Sequence, residues 1–94
     1  MELTTRYNLL EDELKDIGVG LARLYVNEAV THFETGDLKN LKKLYADFVR
    51  EAQKYDASPS RNRKTIGAAM SGEGLSRLVD LVDSLKFKRV GSKQ

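Results

Sequence analysis

Two apolar runs of helical period, held four residues apart, limit this chain more than anything else in it. Leu38, Leu41, Tyr45, Phe48, Ala52 and Tyr55 recur at steps of three and four, and Leu44 and Val49 widen the stripe. Lys39, Lys42, Lys43, Asp47, Arg50, Glu51 and Lys54 occupy the rest of the turn. That spacing is one face of an α-helix. Upstream, Val19, Ala22, Val26, Ala29 and Phe33, flanked by Val30, keep the same rhythm. Between the runs stands Thr35-Gly36-Asp37. Gly36 suits the left-handed conformation that closes a helix, and Asp37 can cap the next one. So short a connection predicts an antiparallel αα-hairpin, 19–35 against 38–55.

The first arm carries a second stripe. Leu10, Leu14, Ile17, Leu21 and Leu24 also alternate steps of four and three. Five residues turn a helix by about 140°, so this stripe lies well round from the Ala22 face. A helix apolar on two sides is expected to bury both, against its own chain or another subunit, and to leave neither in water. Gly18 and Gly20 interrupt the run. Each costs about 1 kcal/mol relative to Ala. They predict a kink that separates an N-terminal helix, 8–17, from the hairpin, with close backbone packing as the other option. Asn8 and Glu11 have the spacing of a capping box for that first helix.

After the hairpin, Asp56-Ala57-Ser58-Pro59-Ser60-Arg61-Asn62-Arg63-Lys64 reads as a basic linker, 56–65. Pro59 disfavours helix at Ser58. Ile66 to Met70 is a short apolar piece, and Ser71-Gly72-Glu73-Gly74 reads as a turn. Leu75, Leu78, Val82 and Leu85 then set the face of a C-terminal helix, 75–88, followed by a basic tail, 89–94. The fold class expected is all-α, one domain over 1–94: a small helical bundle built on the hairpin, with a basic linker and a C-terminal helix.

Charge is uneven. Residues 1–56 hold eight basic and eleven acidic side chains, and residues 57–94 hold eight basic and three acidic, within a net +2. Arg61, Arg63 and Lys64 in the linker, and Lys86, Lys88, Arg89 and Lys93 at the end, are the candidates for holding phosphates of DNA or RNA. The bland alternative is a solubilising charge that complements a helix C-terminus. A helix-turn-helix over 64–82 has part of its spacing in Ala68, Gly72 and Leu78. Ser71 at an apolar position, and Asp80 and Asp83 on the would-be reading helix, argue against it.

Catalytic groups are sparse. There is no Cys and one His. His32 falls near a helix end, where its cation would complement the dipole. Glu11, Asp12, Glu13 and Asp16 fan around a helix rather than converging on a metal. Gly72-Glu73-Gly74 lacks the Gly-Lys-Ser/Thr of a phosphate loop. No enzyme activity, metal, cofactor or small-molecule substrate is expected. The N-terminus lacks a signal peptide's pattern, no segment is apolar enough to span a membrane, and an intracellular, cytoplasmic setting is expected.

The expected function is a non-catalytic protein-binding module, an inhibitor, adaptor or small assembly subunit, that associates with itself and with another protein. The candidate interface is Val19, Ala22, Val26, Ala29, Phe33, Leu38, Leu41, Tyr45 and Phe48. The alternative is an oligomeric nucleic-acid-binding protein that contacts phosphates through its basic linker and tail.

Overall fold

The computed structural model describes the backbone of residues 2–92 and the side chains of residues 10–88. Three helices follow one another: α1 (Glu2–Glu34), α2 (Leu38–Ala57) and α3 (Arg61–Ser92). Among the described residues there is no strand. The molecule is a rod of 63 × 21 × 15 Å. Its radius of gyration is 16.3 Å, against about 12 Å for a globule of this length.

The hairpin forms where the sequence places it. Gly36 has φ +71°. Asp37 N–H donates to the His32 carbonyl at 2.8 Å and Gly36 N–H to Phe33 at 3.1 Å. This pair of bonds is a Schellman closure, which satisfies two of the last carbonyls of α1. Asp37 then caps α2: its Oδ1 accepts from Asn40 N–H at 3.1 Å and its Oδ2 from Asn40 Nδ2 at 2.6 Å. These bonds to Asn40, with smaller help from His32 and Lys39, hold the Asp37 carboxyl below its ordinary pKa.

The second turn is tighter than the sequence suggests. Only Ser58, Pro59 and Ser60 lie outside helix. Ser58 is extended, as the residue before a proline should be. Its hydroxyl accepts from Ser60 N–H at 3.1 Å, and the Ser60 hydroxyl accepts from Arg63 N–H at 3.4 Å. With Ser60 acting as a cap, α3 begins at Arg61. The 56–65 linker therefore shrinks to three residues, and Arg61, Arg63 and Lys64 form the first turn of a helix.

Both glycine-based breaks are absent. Neither a kink at Gly18 and Gly20 nor a turn at 71–74 interrupts a helix, and α1 continues back past Asn8, which is therefore not a cap. The helix-turn-helix spacing at 64–82 likewise falls in one continuous helix. The reason lies in how α1 and α3 meet. Gly18 faces Ile66, Ala69 and Met70, Ala22 faces Gly74, and Arg23 Nε lies 3.3 Å from Glu73 Oε2. Farther along, Lys88 Nζ sits 5.4 Å from the Phe33 ring centre. Ascending positions on one helix meet ascending positions on the other, so α1 and α3 run parallel, and α2 runs antiparallel between their ends.

The approach is close. A Cβ on Gly18 would overlap the Ile66 carbonyl oxygen and fall 2.8 Å from the Ala69 Cβ. One on Gly67 would meet Tyr55 Cβ at 2.7 Å, and one on Gly74 would meet the Phe48 ring at 2.9 Å. These glycines weaken each helix locally but let three backbones come together. Tertiary packing outweighs the propensity cost, as it does in most short helices.

The core runs along the rod. Phe48, Leu41, Met70 and Leu78 are its largest fully buried side chains, joined by Ala22, Ala29, Leu44, Ala52, Val82 and Leu85. Tyr25 meets Phe48 edge to face, 5.3 Å between ring centres. Burial, and after it the carboxylates of Glu51, Asp47 and Glu28, push the Tyr25 phenol above its ordinary pKa. No polar or charged residue is buried among the described residues.

Two substitutions separate the glycines. Gly18→Ala must push α3 back from a backbone oxygen and should lower thermal stability, by about 1–3 kcal/mol. Gly20 has nothing within 4 Å of its virtual Cβ, so Gly20→Ala should stabilise the single chain by about 0.5–1 kcal/mol. Denaturant melts of both variants at low protein concentration check this, and equal effects would refute the packing role of Gly18.

A pH comparison tests the cap. Because the Asp37 pKa is lowered on folding, its contribution is present above about pH 4 and is lost as pH falls through the folded-state value. Asn can cap a helix but does not titrate there. The melting temperature of Asp37→Asn should fall less than that of the wild type between pH 7 and pH 2.

Candidate functional site

The exposed surface of α1 is set by geometry. Its buried stripe, Gly18, Ala22 and Ala29 with Tyr25 and Phe33 partly covered, faces α2 and α3. Ile17 and Leu24 precede Ala22 and Ala29 by five residues, so they stand about 140° away. Two neighbouring helices cannot cover that arc. Leu24 is 67% exposed, Ile17 50% and Leu10 48%, while Leu14 and Leu21 are half-buried beside them.

The expectation that α1 buries both apolar flanks is therefore not met within one chain. Scattered exposed aliphatics are common on soluble proteins and need no partner. This set is not scattered. Leu10, Ile17 and Leu24 are spaced by seven and seven, with Leu14 and Leu21 between them, which makes a continuous heptad ridge. In the sequence the same register runs back through Tyr7 and Leu3. Covering the exposed halves of Leu10, Ile17 and Leu24 would gain on the order of 1 kcal/mol each.

Gly20 borders this ridge. It is exposed, and no neighbouring atom in the chain requires a glycine there. Acidic side chains crowd the ridge's N-terminal half. Asp12, Glu13 and Asp16 are exposed and Glu11 is half-buried. They fan round α1, and among the described residues no three His, Asp or Glu side chains are grouped as metal ligands.

The residues named from sequence as an interface lie elsewhere. Ala22, Ala29, Leu41 and Phe48 are buried in the chain's own core and offer a partner no surface. Val26, Phe33, Leu38 and Tyr45 pack against that core, and Val19 is half-buried. The ridge of the other stripe is the more open of the two faces of α1. The heptad spacing of Leu10, Ile17 and Leu24 was its signal. Sequence alone could not tell which of two equally periodic stripes the other helices would cover.

The basic candidates split into two groups. Arg63 and Lys64 are exposed on the first turn of α3, and Arg61 beside them lines a small groove with Leu10, Glu11, Leu14, Asn62 and Thr65. Lys86 and Lys88 are exposed near the other end, next to Phe87, which is 81% exposed. Twenty-two helical residues, roughly 33 Å, separate Lys64 from Lys86. Arg89 and Lys93 lie outside the described side chains. The continuous α3 thus keeps the groups at opposite ends of the rod and does not gather them into one patch.

His32 sits in the last turn of α1, with Nε2 3.8 Å from Glu28 Oε1. It borders an open groove with Asn40, Lys43, Leu44 and Asp47. Glu73 lies between Arg23 and Arg77, at 3.3 and 3.5 Å, and ties α1 to α3 at the surface. Exposed pairs of this kind contribute about 0–1 kcal/mol each.

No family model, curated protein or solved structure matches the chain. Among the described residues, no helix is long and apolar enough to cross a membrane. Function must be read from the surface itself.

Proposed function

We propose that this chain is a non-catalytic protein-binding module, an adaptor, inhibitor or small assembly subunit that works inside the cell and binds through the α1 ridge. The observation that carries the reading is the half-open heptad row Leu10, Ile17 and Leu24 along one face of α1. An apolar helix face of this kind suits a partner helix that lays its own i, i+3, i+4, i+7 side chains against it. Glu13 and Asp16 beside the row would orient that partner and set its approach rate. The absence of cysteine fits a reducing compartment.

A photo-crosslinking amino acid at Leu24 in the full chain, expressed in cells, tests the reading. It should give a discrete protein adduct that survives nuclease. The same probe at Lys42, exposed on α2, should give none. Adducts that nuclease removes, or equal labelling from both positions, would overturn the proposal. The first of these outcomes would favour nucleic acid as the ligand.

A further inference from the structure

We infer that the occupant of the α1 ridge is a second copy of this chain, paired antiparallel about a two-fold axis near Ile17. This rests on the reading of the ridge as a protein-binding surface and names its partner. Three observations lead to it.

The ridge is self-complementary in length and spacing. Reversing it about Ile17 sets Leu10 against the partner's Leu24 and Leu24 against the partner's Leu10, with Ile17 meeting its own equivalent. Each exposed aliphatic then finds another. An isologous contact of this type closes on itself and leaves no growing end.

The charge pattern selects the direction. Residues 10–16 carry four acids and one lysine, while residues 18–23 carry Arg23 and no acid. A parallel pairing would lay the acidic turn on its own copy. The antiparallel pairing lays it on the partner's acid-free turn and also opposes the two helix dipoles.

Gly20 supplies the third observation. In the single chain it weakens a long helix, and a Cβ there would meet no packed neighbour within 4 Å. In the antiparallel pair, position 20 lies opposite the partner's Leu14. A residue without a side chain there leaves a notch for that leucine and lets the two backbones approach. The sum of the two sequence positions is constant about the axis, so the notch occurs twice.

The chain has no native cysteine, so single-cysteine variants of the purified full-length protein report the contact directly. Under mild oxidation Ile17→Cys should form a disulfide dimer. A mixture of Leu10→Cys and Leu24→Cys, distinguishable by mass, should give mainly the mixed 10–24 dimer. Gly20→Gln should leave the melting temperature of the dilute chain unchanged or raised, yet weaken dimerisation at least tenfold in sedimentation equilibrium. Dominant 10–10 and 24–24 dimers would overturn the antiparallel arrangement. A purified protein that stays monomeric at 100-fold concentration steps up to the millimolar range would overturn self-pairing. If the cellular crosslink from Leu24 persists in that case, the ridge serves a different protein, and the broader reading stands while this inference fails. Loss of both would remove the two together.

Discussion

Everything in this fold depends on how closely two parallel helices approach each other. The backbones of α1 and α3 come so near at Gly18 that a methyl group would overlap a carbonyl oxygen of the other helix. Gly67 and Gly74 grant the same closeness to α2. A 94-residue chain can afford only a thin core. Spending it along a 63 Å rod requires that the helices interlock with small residues over much of their length. Parallel dipoles add a small repulsion between α1 and α3, and α2, lying antiparallel to both, offsets it.

The same economy explains why one side of α1 stays bare. Each helix has two neighbours, and two neighbours cover only the inward arc. α2 is the shortest of the three, so the pair α1/α3 outlasts it at the end where Leu10 and Leu14 stand beside Arg61 and Thr65. Leu10, Ile17 and Leu24, beyond the covered arc, leave about half or more of their surface outside the core of a single chain. Their regularity makes sense if they contribute to another one. In the proposed pair, acid on the N-terminal half of the row and its absence on the next turn would give the contact a direction.

Much of the architecture was legible in the residues. The Thr35-Gly36-Asp37 turn, with its closing glycine and capping aspartate, specified the hairpin through strictly local bonds. The stripe of Leu41, Phe48 and Ala52 specified which side of α2 is buried. The glycines were misleading for an equally clear reason. Propensity records what a glycine costs its own helix, whereas Gly18 acts on Ile66 and Gly74 on Phe48, in other helices distant in sequence. Gly20 and Gly18 look alike in the sequence and play opposite parts in the structure. The two stripes of α1 were visible too, but their fates were settled by which arc α3 occupies, a fact that no local pattern encodes. The basic residues group at two places in the sequence, and a helix that does not break at 71–74 holds Arg63 and Lys64 far from Lys86 and Lys88.

The direction in which α1 and α3 run relative to each other is the most exposed point of this account, because the glycine contacts, the ridge and the separation of the basic ends all follow from it. Spin labels at exposed positions measure it directly through paired distances between Asp12 and Lys64 and between Asp12 and Lys86. Parallel helices predict a short first distance and a second on the order of 30 Å, set by the rise along α3. A long distance to position 64 together with a short one to position 86 would mean that the helices are antiparallel, and would contradict the account.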